Sequence, residues 1–355
     1  MDIHSQLCQE FSLKPWQIEN TVKLIDDGNT IPFIARYRKE ATGSLDDQLL
    51  RSIYDRLNYL RNMTEQKEKI IQSITEQGMM TDEIQAAIDN ASTLTELDDI
   101  YRPFRPKRKT RASVAKAKGL QGLADIIYAQ EKGSKTPLEL AVDYLNDEVE
   151  TVEDAVNGAK DIIAEMVSDD PAGRKMLRYS IKNNGMLVVT GAEEELGVYE
   201  MYKEYSEPVK SIPGHRILAV NRGEKEGFLK VAVDYDKITA LTILNNLHIK
   251  KNSPTTDAVI EAIEDAYTRL IFPSIEREIR NTLTDSASTS AIEVFAKNTR
   301  QLLMQPPVKN KVTLGLDPGY RTGCKVAVVD ETGKVLDTSV IYAVPPHNKV
   351  EEAKK

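Results

Sequence analysis

The chain has few of the residues from which compact catalytic and metal sites are usually built. Only two cysteines and four histidines occur in 355 residues, and aromatic residues make up 6%. Cys8 and Cys324 lie far apart and outside any CxxC pair, so a disulfide framework and a cysteine-rich zinc site are excluded. No two histidines are spaced as i and i+4, the arrangement that places two zinc ligands on one helix face. A reducing cytoplasm is the simplest location for such a chain.

Motifs for nucleotide binding and nucleophilic hydrolysis are also missing. There is no GxG, and the Gly333–Lys334 pair is followed by Val335 where a P-loop needs Ser or Thr. No GxSxG is present either. No apolar run approaches the roughly 18–20 residues that cross a membrane. The first residues lack the basic and apolar pattern of a secretory signal, so we expect neither membrane partners nor secretion.

The spacing of apolar residues predicts a mainly α-helical protein that forms an elongated scaffold of many helices. The longest pattern predicts one helix over 44–77, on the order of 45–50 Å long, with Ser44 as its N-cap. Coiled-coil packing of this helix is the alternative to an extended scaffold. Helical patterns also cover 113–130, 254–272 and 273–304, whereas 206–221 shows no assignable pattern. Threonines are predicted to begin three shorter helices, at Thr81, Thr93 and Thr136, and a clean apolar stripe predicts a further helix over 151–168.

Strand patterns are confined to two short parts of the chain. Residues 186–190 and 228–236 predict a small mixed α/β insert. The last part, 312–355, predicts an antiparallel meander of three strands followed by the first turns of a helix. Three strands cannot bury both faces of a sheet, so we expect the chain to be a fragment of a longer polypeptide. The predicted domains are 1–100, 101–190, 191–307 and 312–355.

Charge is strongly segregated although the net charge is only −8. Residues 101–120 contain eight basic and no acidic residues, whereas 147–170 contain nine acidic residues and only Lys160 as a base. Cations held outward by a proline-kinked loop can contact phosphates, so we predict that the loop binds a partner RNA or DNA. The predicted contacts in the loop are Arg102, Arg105, Lys107, Arg108, Lys109 and Arg111. A second, smaller group is Arg36, Arg38 and Lys39.

Two features of the basic loop leave its role open. Tyr101 and Phe104 are interleaved with the cations and are predicted to stack on bases. The alternative is that the cations dock against the protein's own acidic segment, 147–170. The acidic net charge means that any affinity for nucleic acid must be local.

Five long motifs, in order, resemble the bacterial Tex family of transcription accessory proteins, which is related to a eukaryotic transcription elongation factor. They are IPFIARYRKEATGSLDDQLLRSIYDRLNYL (31–60), LDDIYRPFRPKRKTRASVAKAKGL (97–120), PGHRILAVNRGEKEG (213–227), AIEVFAKNTRQLL (291–303) and GLDPGYRTGCKVAVVDETGK (315–334). The resemblance implies a helix-turn-helix-like N-terminal domain and an RNase H-like domain that begins near Val312. It also implies helix-hairpin-helix modules and a C-terminal OB-fold RNA-binding module, which this chain lacks.

Asp317 is the one candidate for a catalytic or metal-binding role. It follows the first strand of the RNase H-like part, where such nucleases place a metal-binding carboxylate. A two-metal site needs several carboxylates, and the chain lacks the later strands that would carry them. Asp330 is predicted to form a turn. GLDPGYRTG also resembles the phosphate loop of actin-like and sugar-kinase ATPases, but the long helical segment before it argues against that fold.

The sequence therefore favours a transcription accessory factor that acts as a non-catalytic scaffold on RNA or DNA and needs no cofactor. The transcription or translation machinery is its predicted protein partner. The alternatives are a magnesium-dependent, structure-selective nuclease in a longer chain, and a scaffold that binds proteins only.

Overall fold

A computed structural model describes residues 2–107, 109–192, 195–250, 253–306, 310–319, 322–345 and 347–354. Its contacts divide the chain into two units, residues 1–283 and 284–355. The protein is mainly α-helical, as predicted, with two small antiparallel sheets. Among the described residues, no helix is both long enough and apolar enough to cross a lipid bilayer.

The first unit consists of helices and one small sheet. Its first helices are α1 (Ile3–Phe11), α2 (Pro15–Asp26), α3 (Ile31–Tyr37), α4 (Lys39–Thr42), α5 (Asp47–Glu76), α6 (Asp82–Asn90), α7 (Leu94–Tyr101), α8 (Arg111–Ala117) and α9 (Gln121–Ala129). They are followed by α10 (Pro137–Ala141), α11 (Val152–Asp169), α12 (Pro171–Asn184), α13 (Gly214–Lys225), α14 (Lys237–His248), α15 (Thr256–Asp265) and α16 (Phe272–Leu303), which continues into the second unit.

The long helix α5 has 30 residues, and each half contributes to a different apolar cluster. Its first half, with Leu50 and Ile53, packs with Leu7, Ile18 and Ile34 of the first three helices. Its second half contributes Met63, Ile70 and Ile74 to a cluster with Ile88 and Leu97 of α6 and α7. Each half therefore buries its apolar stripe against different helices.

The predicted N-cap of this long helix is wrong by two residues. Asp46 caps α5, because its side chain accepts a hydrogen bond from the amide of Leu49 at 2.8 Å. Ser44 instead belongs to the end of α4, where Gly43 and Ser44 both adopt the left-handed conformation. The amide of Ser44 donates to the carbonyl of Lys39 at 2.7 Å, which closes the preceding helix.

The predicted helix over 113–130 is also wrong, because it is two helices. Gly119 has a φ of +84°, and the amide of Leu120 donates back to the carbonyl of Ala115 at 3.2 Å. This left-handed ending separates α8 from α9. The unassigned region 206–221 contains the end of a strand and most of α13.

The small sheet confirms the predicted mixed insert. Its strands are β1 (Met186–Gly191), β2 (Glu204–Pro208) and β3 (Leu229–Asp234), in the order β2-β1-β3 with both pairs antiparallel. Val189 lies opposite Tyr205 on one side and Val231 on the other. Alternate residues of β3 are buried, as expected for a sheet with one face on the core.

A π-helical segment, Ala266–Ile271, joins α15 to α16 where the sequence predicted a new helix at Pro273. The amide of Phe272 donates to the carbonyl of Tyr267, five residues earlier. Proline has no amide hydrogen and its ring collides with the carbonyl four residues back, so a wider turn just before Pro273 lets the helix continue.

The second unit contains the predicted meander. Strands β4 (Thr313–Asp317), β5 (Cys324–Val329) and β6 (Val335–Ile341) pair in chain order and antiparallel, and a short helix, α17 (Val350–Ala353), follows. Leu314, Leu316 and Leu336 are exposed, as expected for three strands that cannot cover both faces of a sheet.

The predicted threonine caps at Thr81, Thr93 and Thr136 are confirmed, and the one at α7 has a neighbour that makes a testable contribution. Thr81, Thr93, Thr136 and Thr151 each accept a hydrogen bond from an amide in the first turn. Beside Thr93, the carboxylate of Glu96 accepts hydrogen bonds from the amide and hydroxyl of Ser92 and from Lys175 at 2.8 Å.

Lys175, together with Ser92, lowers the pKa of Glu96 from 4.5 to about 2. Since the folded state favours the ionised carboxylate more than the unfolded chain does, this contribution to stability is present above about pH 4.5 and is lost as the pH falls towards 2. The midpoint of urea unfolding should fall as the pH is lowered over that range, and we expect this fall to be smaller in Glu96→Gln than in the unaltered chain. Glu83→Gln, at an exposed carboxylate of α6, is the control. Parallel pH profiles for Glu96→Gln and the unaltered chain would contradict this assignment.

Candidate nucleic-acid interface

The basic loop, residues 101–111, connects α7 to α8 and is not a regular helix. A single 3-10 turn covers Arg102–Phe104, and the chain is extended at Arg105 before Pro106. The prolines at 103 and 106 account for this path, because they remove two amide donors and restrict the residues before them. The loop passes over α11, whose apolar face packs against α8, α9 and α15.

Arg102 and Lys107 of the basic loop contact acidic residues of α11. Arg102 Nε donates to Asp169 Oδ1 at 3.2 Å. Lys107 pairs with Asp169, and its Nζ lies 3.4 Å from Glu165 Oε1. These contacts are the internal docking that the sequence left open as an alternative, and they use the predicted acidic segment.

The environment of these ion pairs is partly dehydrated. Burial raises the pKa of Asp169 above its usual value, although Lys107 and Arg102 act in the opposite direction. Burial likewise lowers the pKa of Arg102. For both groups, the removal of the charge from water is the largest influence on the pKa. Either cation would have to leave a carboxylate before it contacted a phosphate.

Arg105 and the two aromatic residues of the loop are also engaged internally. Arg105 pairs with Asp98 and lies over the ring of Tyr101, 5.6 Å from its centroid. The hydroxyl of Tyr101 lies 3.0 Å from Ser73 Oγ of α5, and both Tyr101 and Phe104 pack against the apolar cluster of Met63 and Ile70. Both rings are half-buried against this cluster, so internal packing already occupies part of the surface that was predicted to stack on bases.

The remaining loop cations are placed differently. Lys109 and Arg111 are exposed, and neither has a carboxylate within 4.0 Å in the described part of the chain. Arg108 lies outside the described residues. Lys109 and Arg111 are thus the described loop cations without a direct ion pair, although Arg111 acts on Asp161 of α11 by opposing the rise that burial causes in the pKa of that carboxyl.

The second predicted group forms an exposed corner between α3 and α4, which we call the basic corner and define as residues 33–39. Arg36, Arg38 and Lys39 are exposed, and within the described ranges no carboxylate comes within 4.0 Å of their nitrogens. Arg38 lies over the ring of Phe33, 5.2 Å from its centroid, and donates to the carbonyl of Tyr37 at 3.3 Å. All three predicted cations of this group are therefore uncompensated.

The basic corner is fixed to the rest of the first unit from both sides. Ile34 is fully buried and anchors α3 in the cluster shared with α5. On the α4 side, Gln17 donates to the carbonyl of Thr42 at 3.2 Å and Asn20 donates to that of Ala41 at 2.9 Å. These two amides of α2 satisfy carbonyls that a helix end leaves without partners. Gly43 then ends α4 against the side chains of α2.

Tyr37 belongs to this corner, and the sequence reasoning missed it. Its side chain is 65% exposed, and its ring centroid lies 5.3 Å from that of Phe33. The signal was present, because Phe33 and Tyr37 are four residues apart in a helix and therefore share one face.

A buried ionic cluster, also missed, lies under the basic loop. Asp99 of α7 contacts Arg174 Nε at 2.7 Å and Arg178 Nη2 at 2.8 Å. Arg178 also donates to Glu278 of α16 at 2.6 Å. Burial alone would lower the pKa of Arg178, but Glu278 and Asp99 hold it above its usual value. The cluster joins α7, α12 and α16 and sets the position from which the loop begins.

Asp317 ends β4, is exposed, and lies opposite Lys325 of β5. Nowhere in the described ranges do three or more His, Cys, Asp or Glu side chains come together as a metal site would require. These residues do not fit a two-metal centre, which needs several carboxylates. Asp330 forms a turn as predicted, because its carboxylate accepts hydrogen bonds from Thr332 and Lys334, and these lower its pKa.

Comparison with known families and proteins agrees with the motifs. Residues 1–75 match a Tex-like protein N-terminal domain, residues 132–295 match the Tex central region, and residues 311–355 match the Tex protein YqgF-like domain. The three matches occur along the chain in this order.

Similar proteins come from bacteria and animals. The uncharacterized protein YdcI of Bacillus subtilis is 45% identical over 99% of this chain and 50% of its own length. The transcriptional accessory protein Tex of Neisseria gonorrhoeae is 40% identical over 98% of this chain and 47% of its own. The human S1 RNA-binding domain-containing protein 1 is 30% identical over 96% of this chain and 36% of its own length. The chain thus spans about half the length, or less, of the curated relatives it matches, and it belongs to the Tex family.

Proposed function

We propose that this chain is a nucleic-acid-binding part of a transcription accessory factor, which holds RNA or DNA by its phosphates and acts as a scaffold, not as a catalyst. The observation that carries the proposal is the basic corner, where three exposed cations have no carboxylate partner among the described residues. The names of two relatives support it, since one is called a transcriptional accessory protein and another an S1 RNA-binding domain-containing protein.

The arrangement of charge favours the basic corner over most of the basic loop. A cation that contacts a phosphate releases condensed counterions, and this release supplies most of the sequence-independent affinity. Arg102, Arg105 and Lys107 would first have to leave an intramolecular carboxylate, whereas Arg36, Arg38 and Lys39 would not. From the sequence, the basic loop is the first candidate for phosphate contact and residues 36–39 are the second. We propose the reverse order, in which the loop contributes phosphate contacts through Lys109 and Arg111 only.

The proposal predicts a weaker and less salt-dependent affinity when the corner is neutralised. For Arg36→Gln/Arg38→Gln/Lys39→Gln, we expect the slope of log K against log salt to fall by about 0.7–0.9 for each phosphate that the corner no longer neutralises. Fluorescence anisotropy with labelled RNA and DNA, titrated at several salt concentrations, measures both the affinity and the slope. The weakening should be similar for unrelated sequences, because phosphates carry no sequence information.

A matched control separates a local contact from a change in net charge. Lys132→Gln/Lys135→Gln/Lys210→Gln removes three exposed lysines elsewhere in the first unit. It should keep the slope of the unaltered chain. Lys109→Gln/Arg111→Gln should lower the slope by about 1–2. Equal slopes for the corner variant and the lysine control would overturn the assignment of the basic corner.

A further inference from the structure

The exposed ring of Tyr37 is the starting point. It lies at the last residue of α3, is 65% exposed, and its hydroxyl has no hydrogen-bond partner in the described part of the chain. Covering an exposed aromatic side chain with a second flat, apolar surface lowers the free energy of the system. This ring therefore has an open face that no described residue uses.

The ring is also held in place before anything binds. Phe33 lies one helical turn earlier, with its ring tilted by 47° against that of Tyr37. Arg38 covers a face of Phe33, and the fully buried Ile34 fixes the helix between them. The contact with Phe33 restricts the ring of Tyr37, so a partner that stacks on it meets a partly ordered surface.

The charges around Tyr37 indicate what that partner is. Arg36, Arg38 and Lys39 are close to Tyr37 in the sequence, are exposed, and have no carboxylate within 4.0 Å of their nitrogens in the described part of the chain. Tyr179 of α12 makes a useful contrast, because it is 73% exposed but its neighbours Lys175 and Arg178 pair with Glu96, Asp99 and Glu278. An open ring among uncompensated cations suits a polyanion that also carries flat rings.

We infer that Tyr37 is a stacking platform for an unpaired base, so that the basic corner binds single-stranded nucleic acid in preference to duplex. In a duplex each base is already stacked on both faces, whereas a single strand turns a free face towards the protein. The cations hold the phosphates on either side of the stacked base. This inference rests on the proposed function and adds the form of the ligand to it.

The test uses the 355-residue chain and a labelled RNA of mixed sequence, about 12 nucleotides long, alone and annealed to its complement. Tyr37→Leu keeps an apolar side chain but removes the π face. We expect it to weaken single-strand binding by about 5- to 100-fold, to change duplex binding by less than about twofold, and to leave the salt slope unaltered. Tyr37→Phe should retain the affinity, and Tyr179→Leu is the matched control. A DNA strand of the same sequence should show the same pattern.

The outcomes separate this inference from the proposed function. If the charge variant of the corner weakens binding but Tyr37→Leu affects single strand and duplex equally, nucleic-acid binding stands and the stacking platform is refuted. An unchanged single-strand affinity in Tyr37→Leu refutes it too, and leaves the ring to a protein partner. If the unaltered chain binds neither form, the proposed function itself fails. A loss confined to the single strand, with rescue by Tyr37→Phe, supports the inference.

Discussion

Replacing Asp99 by asparagine is expected to lower the free energy of unfolding by about 3–5 kcal/mol. Asp99 is 4% exposed and is the carboxylate between Arg174 and Arg178. Arg174 is 3% exposed, and one of its terminal nitrogens, Nη1, already has no hydrogen-bond partner among the described residues. Asparagine keeps the shape but removes the charge. Among the described residues, the buried guanidinium of Arg174 would then have no carboxylate partner, and the half-buried Arg178 would keep only Glu278.

The neighbouring residue provides the control for this experiment. Asp98 pairs with Arg105 at the surface, where both side chains are about half exposed. Surface pairs contribute about 0–1 kcal/mol, so Asp98→Asn should have a small effect. The midpoint of urea unfolding, followed by circular dichroism, measures both variants. Equal midpoints for Asp98→Asn and Asp99→Asn would show that the buried cluster does not stabilise the first unit.

Gly43→Ala is expected to cost about 2–4 kcal/mol, the second largest effect. Gly43 has a φ of +72°, which an L side chain rarely adopts. An added Cβ would also lie 2.6 Å from Gln17 Nε2 and 2.8 Å from Trp16 Cη2. Gln17 is the side chain that satisfies the carbonyl of Thr42, so the clash acts directly on the end of α4. Thermal unfolding measures the loss of stability, and nucleic-acid binding should weaken because the basic corner moves.

A substitution at Gly28 distinguishes the cost of the positive φ from the cost of the clash with α2. Gly28 has a φ of +81°, but an added Cβ there meets nothing within 4 Å. Gly28→Ala should therefore cost only the backbone contribution, about 1–2 kcal/mol. A cost for Gly43→Ala no larger than that for Gly28→Ala would mean that the contact with α2 does not hold the corner.

Local chemistry explains which parts of the fold the sequence predicts. The threonine caps at Thr81, Thr93 and Thr136 depend on residues at most three positions away, and all three were predicted correctly. The ending at Gly119 was missed because a single glycine is tolerated within a helical pattern. The strand Glu204–Pro208 was missed because it is short and ends at a proline.

The candidate site is less predictable because its contacts are distant in sequence. Both the cations of the loop and the acidic segment were identified from the sequence. Which of these cations contact the acidic segment depends on the packing, which brings Lys107 to Asp169, 62 residues away. The same limit applies to Asp99 and Arg174, which are 75 residues apart. Residue type and spacing locate the charges, but only the fold decides which of them are neutralised.

The helix α5 has a consequence for how the first unit comes apart. Its two halves belong to different apolar clusters, and one uninterrupted ladder of backbone hydrogen bonds runs between them. A cluster that melts removes the tertiary support from its half of the helix, and the fraying then spreads towards the other half. The part of α5 around Met63 therefore links the unfolding of the two clusters.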